Sequence, residues 1–160
     1  MNHDRSDVPA ILFLCLGNIC RSPLAEGAAR AAFAEAGIAA RLDSAGTGDW
    51  HVGRAPDPRA QAEARRRGTD IGALCARQLV VADFRRFDLI LAADTQNLRD
   101  ARAIRPFDAT AQLMLMLDLV PGRAGESVAD PYYGDEEGFA ATWADVSAVA
   151  SALVSKFSSG

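Results

Sequence analysis

Residues Phe13–Gly27 read FLCLGNICRSPLAEG. An apolar run of β character ends in Cys15, crosses Gly17 and Asn18, and reaches Arg21-Ser22-Pro23 at what reads as the mouth of a helix. Gly and Asn tolerate positive φ, so the chain can curl there with successive N–H groups turned inward. A helix N-terminus directly after such a curl adds free N–H groups and the positive end of the dipole. Arg21 contributes a planar fork matched to two oxygens of a tetrahedral anion. The stretch therefore predicts a cradle for one phosphate-sized dianion, with a thiol at its floor. Free cysteine is mostly protonated at neutral pH. Here the inward amides, Arg21, the dipole and the Ser22 hydroxyl all favour the thiolate, without any histidine. No Gly-Lys-Ser/Thr pattern occurs, which excludes a nucleotide-binding loop of that type.

Working outward, Ala10–Cys15 reads as a buried strand. A helix follows from Ser22 to about Glu35, with Ser22 as N-cap, Pro23 at the first helical position and Gly37 as its stop. Ala39–Ser44 reads as a second strand, closed by the Gly-rich stretch Ala45–Gly48. Asp57-Pro58 has the pattern of a cap and first turn for a helix running to Gly68. The arginines Arg65 to Arg67 fit a solvated helix end that complements the dipole. A short helix over Val80–Phe87 precedes the buried strand Asp88–Ala93, and a helix capped by Asp94 or Thr95 follows. Leu113–Leu117 reads as a fourth strand and Pro121–Gly134 as a loop. Phe139, Trp143, Val146, Ala150, Leu153 and Phe157 recur at helical spacing, forming an apolar stripe.

Strands that alternate with helices imply parallel βαβ units with right-handed crossovers. The expected fold class is α/β: one three-layer domain over 1–160, with a four-stranded parallel twisted sheet, helices on both faces and the phosphate-binding loop after the first strand. Residues 1–8 are expected to be a flexible N-terminal extension. Ligands in such sheets sit at the carboxyl ends of the strands, where strand order switches, and Cys15 lies at such an end.

The chain has 160 residues, 49% apolar and 24% charged, with a net charge of −4. That balance argues against a nucleic-acid partner. Ala10–Leu16 is far too short to cross a bilayer, and the polar start lacks signal-peptide design, so no membrane insertion and a cytoplasmic location are expected. Three cysteines, an odd number, fit reduced thiols rather than a disulfide framework. Histidine occurs only at positions 3 and 51, leaving almost no material for a zinc cluster or a Ser-His-Asp triad. No metal and no cofactor are expected.

The run C-L-G-N-I-C-R-S-P-L-A-E resembles the Cys-x5-Arg-Ser signature of low-molecular-weight protein tyrosine phosphatases. Three further motifs match in order: Ser44-Ala45-Gly46-Thr47 with Trp50-His51-Val52-Gly53, then Ala76-Arg77-Gln78, then Asp130-Pro131-Tyr132-Tyr133-Gly134. The resemblance implies phosphotyrosine-containing proteins as substrates, inhibition by phosphate or vanadate-like oxyanions, and Cys15 as a nucleophile forming a thiophosphate ester. It implies that Arg21 and the backbone of Leu16, Gly17, Asn18, Ile19, Cys20 and Ser22 hold the phosphoryl oxygens, and that Ser22 donates to the departing thiolate. Asp130 would be the general acid for a poor phenolate leaving group, with Pro131 stiffening its turn. Trp50, Tyr132 and Tyr133 would wall the cleft, and Asn18 and Ser44 would support the loop. Some relatives have a histidine shortly before Ala-Arg-Gln, where this chain reads Leu74-Cys75. Cys20 is either an apolar filler or a resolving thiol that traps oxidised Cys15, and the resemblance favours the second. Cys75 is expected to be a buried structural thiol. A thioredoxin-coupled arsenate reductase of the same fold needs further downstream cysteines, and only Cys75 is available. A protein-arginine phosphatase tends to carry threonine where this loop has Ile19. A phosphate-binding module without turnover is the remaining alternative.

Overall fold

The structure, a computed structural model, describes residues 8–132 and 134–158. Four strands, β1 (Ala10–Cys15), β2 (Arg41–Gly46), β3 (Leu89–Ala92) and β4 (Gln112–Leu115), form one sheet in the order β2-β1-β3-β4, parallel throughout. All of β1 and β3 is buried, as expected where helices cover both faces and a strand reads as a continuous apolar run. Side chains alternate along β1. Ile11, Phe13 and Cys15 join one core; Leu12 and Leu14 join the other, with Phe84, Phe87 and Leu115.

The helices are α1 (Arg21–Ala36), α2 (Pro58–Arg66), α3 (Asp83–Arg86), α4 (Thr95–Ile104) and α5 (Glu136–Ser158). On the first face α5 packs chiefly on α1. It buries Phe139, Val146, Val149, Ala150 and Leu153, with Trp143 and Phe157 half-buried at the margin. Among the described residues α5 is long and apolar enough to suit a membrane, but its apolar stripe lies in the core. Because chain order runs outward from β1 to β2, and then restarts with β3 on the other side, the switch point lies between β1 and β3. The carboxyl ends of those strands are Cys15 and Ala92, and the site is built there.

Several expectations are corrected. The first helix starts at Arg21, with Cys20 at the cap position and no side-chain cap. Ser22 and Pro23 therefore sit inside the first turn, where proline's missing N–H is still one the helix does not need. The Ser22 hydroxyl serves the thiol instead. β2 runs two residues later than expected, ending on Gly46, and β4 ends at Leu115 because Met116–Leu119 tightens into a 3₁₀ turn closed by Asp118. Asp57 and Asp94 cap α2 and α4 as expected, each accepting a backbone N–H. Arg66 and Arg67 do more than face solvent: both pair with the buried Glu63. Cys75 is exposed rather than buried. Apart from Val8, the expected N-terminal extension lies outside the described residues, as does Tyr133.

Candidate active site

The loop after β1 curls as its Gly-Asn pair requires. Asn18 takes a φ of 58°. This is a left-handed conformation that asparagine adopts more readily than most residues. That turn aims the Asn18 backbone N–H at Cys15 Sγ, 3.3 Å away. On the other side of the sulfur, Ser22 Oγ lies at 3.0 Å.

Asn18 also fixes which way the hydroxyl points. Its Oδ1 accepts the Arg77 backbone N–H at 3.0 Å, which orients the amide. Its Nδ2 then donates to Ser22 Oγ at 2.8 Å and to Ser44 Oγ at 3.0 Å. Ser44 in turn donates its hydroxyl to Glu26 Oε1 at 2.8 Å. With a lone pair engaged by Asn18, Ser22 has its O–H left to donate, and Cys15 Sγ at 3.0 Å is a nearer acceptor than Ala45 O at 3.5 Å. The network closes on the backbone N–H of Arg77, which donates to Asn18. The Arg77 side chain is fixed in turn by Asp83 and Asp43. Asn18, Ser22, Ser44 and Glu26 are all buried. An unpaired member would therefore cost about 1–3 kcal/mol. Burial raises the Glu26 carboxyl above the usual range, and its bonds to Arg30 and Ser44 oppose the rise.

Backbone contacts lock the loop to β2. Thr47 N–H donates to Cys15 O and Gly48 N–H to Leu16 O, both at 2.9 Å. A Cβ on Gly46 would sit 2.7 Å from Leu16 O. Only glycine lets strand and loop approach this closely. Gly48 plays a similar part for Trp50, whose indole lies where a Cβ would be.

Arg21, the first residue of α1, is only 3% exposed. Its Nη1 donates to Asp94 Oδ2 at 2.7 Å and to the Val128 carbonyl at 3.0 Å. Its Nη2 lies 3.6 Å from Asp130 Oδ2. Burial works against its charge, but Cys15, Asp94 and Asp130 together hold its pKa above the ordinary value. Asp94 is the residue that sequence reasoning missed. It was legible only as a helix cap, yet while Oδ1 caps α4, Oδ2 anchors the arginine. Val128 N–H is held by Ala93 O at the end of β3, which delivers the Asp130 turn to the same place.

These groups enclose a cavity of about 370 Å³, lined by Cys15, Leu16, Gly17, Ile19, Cys20, Arg21, Trp50, His51, Asp130 and Tyr132. Asn18, Ser22 and Ser44 stand behind the thiol and do not line it. Trp50 is 67% exposed and Tyr132 is half-buried, so the walls above the charged floor are aromatic and open. His51 is a second addition: it packs against Gly17, 2.9 Å from where a Cβ would project. Burial, Asp57, Cys15 and Asp130 push the Cys20 thiol well above its ordinary pKa, with Arg59 opposing. Cys20 is thus a neutral neighbour to Cys15 at rest. No group of three or more possible metal ligands occurs among the described residues.

The sequence model of the low molecular weight phosphotyrosine protein phosphatase family matches residues 10–159. A low molecular weight phosphotyrosine protein phosphatase of Schizosaccharomyces pombe is 44% identical over 132 residues, 81% of this chain and 84% of that protein. Among solved structures, a protein tyrosine phosphatase of Entamoeba histolytica superposes with a TM-score of 0.88 at 32% identity, over 94% of this chain and 97% of its own. A Drosophila arginine phosphatase superposes with a TM-score of 0.87 at 27% identity, over 93% of this chain and 98% of its own.

Proposed function

The chain belongs to the low molecular weight phosphotyrosine protein phosphatase family, and we propose that it hydrolyses phosphotyrosine in proteins, and small aryl phosphates, through a cysteinyl-phosphate intermediate. One observation carries the mechanism: Cys15 Sγ lies at a cavity floor, receives Ser22 and Asn18, and shares that cavity with Arg21 and Asp130. In the first step the Cys15 thiolate attacks phosphorus as the bond to the phenolic oxygen breaks, and Asp130 gives that oxygen its proton. Arg21 and the loop amides hold the three remaining phosphoryl oxygens, more tightly as charge shifts onto them. In the second step Asp130, now a carboxylate, takes a proton from water as the water attacks phosphorus. The S–P bond breaks, phosphate leaves, and Ser22 and Asn18 N–H stabilise the returning thiolate.

The open aromatic walls of Trp50 and Tyr132 suit a phosphorylated ring, and the anion-binding floor suits phosphate and vanadate as inhibitors. Cys20 is the candidate resolving thiol: peroxide would convert Cys15 to a sulfenic acid, which condenses with Cys20 to a disulfide and releases water. Reduced thiols of this kind fit a cytoplasmic location.

The test is a side-by-side assay of phosphotyrosine, phosphoarginine, and arsenate with thioredoxin, using the native protein and Cys15→Ser. Phosphotyrosine should be turned over fastest, and Cys15→Ser should abolish that turnover while still binding vanadate. Faster release from phosphoarginine would assign the chain to the arginine branch. Turnover surviving in Cys15→Ser would remove the nucleophile.

A further inference from the structure

Asp130 is exposed, and the main-chain bond from Val128 N–H to Ala93 O holds only the approach to its turn. Asp130 Oδ1 accepts the Tyr132 N–H at 3.0 Å, so the carboxylate is oriented through the Tyr132 peptide. The carbonyl of Tyr132 accepts from Arg59 Nη2 at 2.9 Å, and the Gly134 carbonyl faces Arg59 Nη1 at 3.4 Å. The guanidinium carbon also lies 5.5 Å from the centre of the Tyr132 ring and 4.9 Å from that of Phe139. Both rings are within cation–π range.

Arg59 is itself rigidly held. Asp57 takes its Nε at 3.0 Å, its Nη2 at 2.9 Å and its backbone N–H at 2.8 Å. The fork is therefore aligned before it meets the turn. The Asp57 backbone N–H in turn donates to Ile19 O at 2.9 Å, inside the phosphate loop. The first turn of α2 thus touches the nucleophile's loop on one side and the acid's turn on the other.

We infer that Arg59 is a positioning residue for proton transfer, holding Asp130 at a fixed distance from Cys15 through the Tyr132 and Gly134 carbonyls. This rests on the reading of Asp130 as the general acid. Arg59 does not line the cavity, and its side-chain bonds run to Asp57 and to the acid's turn, with none to the cradle among the described residues. The loss should therefore depend on how much help the leaving group needs.

The experiment compares kcat/KM for phenyl phosphate and p-nitrophenyl phosphate in the native enzyme, Arg59→Ala, Arg59→Lys and Asp130→Ala. The ratio of the two substrates within one preparation does not depend on how much of it is folded. A general acid contributes about 10² to 10⁴ toward a poor leaving group, and a displaced acid loses part of that. Arg59→Ala should lose about tenfold on phenyl phosphate and less than about twofold on the nitrophenyl ester, with inhibition by inorganic phosphate unchanged. Lysine, which keeps the charge without the fork, should recover part of the loss. If Arg59→Ala leaves the ratio at the native value while Asp130→Ala shifts it, the clamp is refuted and the acid survives. If Asp130→Ala does not shift it either, the acid assignment falls and takes the clamp with it.

Discussion

The two loops that meet over Cys15 are built in opposite ways. The cradle, residues 15–22, grows from a fully buried strand, and its polar side chains Asn18 and Ser22 are buried and satisfied from behind. The acid turn runs from buried Val128 toward solvent; Asp130 is exposed, and among the described residues its carboxylate is guided by the Tyr132 peptide N–H and by Arg21 at 3.6 Å. The difference follows the chemistry. Three phosphoryl oxygens and a sulfur need fixed partners, because a preorganised anion site loses its advantage if it must rearrange. The acid must admit a bulky phenol, protonate it, release it and admit water. It therefore sits on a solvent-facing residue held by a few directed tethers. The cradle should serve every substrate alike, whereas the acid turn should matter in proportion to the leaving group.

Asn18→Ala gives the largest break on the rigid side. It removes the side-chain bonds to Arg77, Ser22 and Ser44 that hold the loop peptide aimed at the sulfur. It also leaves an ordinary residue without a local partner at a φ of 58°. The left-handed region costs about 1–2 kcal/mol for such a residue, and a loop displaced by about 1 Å can lose on the order of 10²-fold in rate. We expect kcat to fall by roughly 10- to 100-fold for phenyl and nitrophenyl phosphates equally. A loss confined to the poorer leaving group would mean that Asn18 acts through the acid turn, and the contrast between the two halves would dissolve.

Asp94→Asn probes the seam between them. Asparagine still caps α4, so the helix should stay. Arg21, however, loses the anion at 2.7 Å and keeps Val128 O, Asp130 and the Cys15 sulfur nearby. A charge-assisted bond is worth about twice a neutral one, so the fork should hold phosphate less firmly. The inhibition constant for inorganic phosphate should rise by about threefold to tenfold with little change in Tm. An unchanged constant would show that Val128 O and Asp130 hold the arginine in register without Asp94.

What was legible in the sequence divides along the same line. Alternation, proline-capped helix starts and the Cys-Leu-Gly-Asn-Ile-Cys-Arg run are local signals, and they placed the sheet, the cradle and Cys15 together. Ser22 was misread as a cap because a serine before proline at a helix start has the same local pattern whether its hydroxyl faces a backbone N–H or a sulfur. Asp94 is legible only as a helix cap and Arg59 carries no signal at all, since the partners that matter are 73 positions away in each case. Side chains that join separate elements carry no periodicity, and residue type alone does not reveal a second bond. The absent histidine shows the converse. Leu74-Cys75 leaves the support of the loop open in the sequence, and the bond from the Arg77 backbone N–H to Asn18 Oδ1 has no motif that would show it.

The smallest expected effect tests whether the cradle's rigidity reaches its last member. Glu26 is 1% exposed, and burial lifts its carboxyl pKa above the ordinary range, against the pull of Arg30 and Ser44. An acid that is harder to ionise folded than unfolded stabilises the fold fully below the ordinary glutamate range. That contribution is lost as pH rises through the folded value. Glu26→Gln cannot ionise, so it lacks this slope. Thermal melts from pH 4 to 7 should show native stability declining relative to Glu26→Gln across the window just above the ordinary glutamate pKa, by about 2 to 4 °C in Tm. Asp130→Asn, altering an exposed carboxylate on the acid turn, serves as the control. Parallel Tm curves for the native protein and Glu26→Gln would mean that the buried carboxylate is shielded by Arg30 at every pH. The chain of bonds from Glu26 through Ser44 and Asn18 would then hold the loop by geometry alone, without charge.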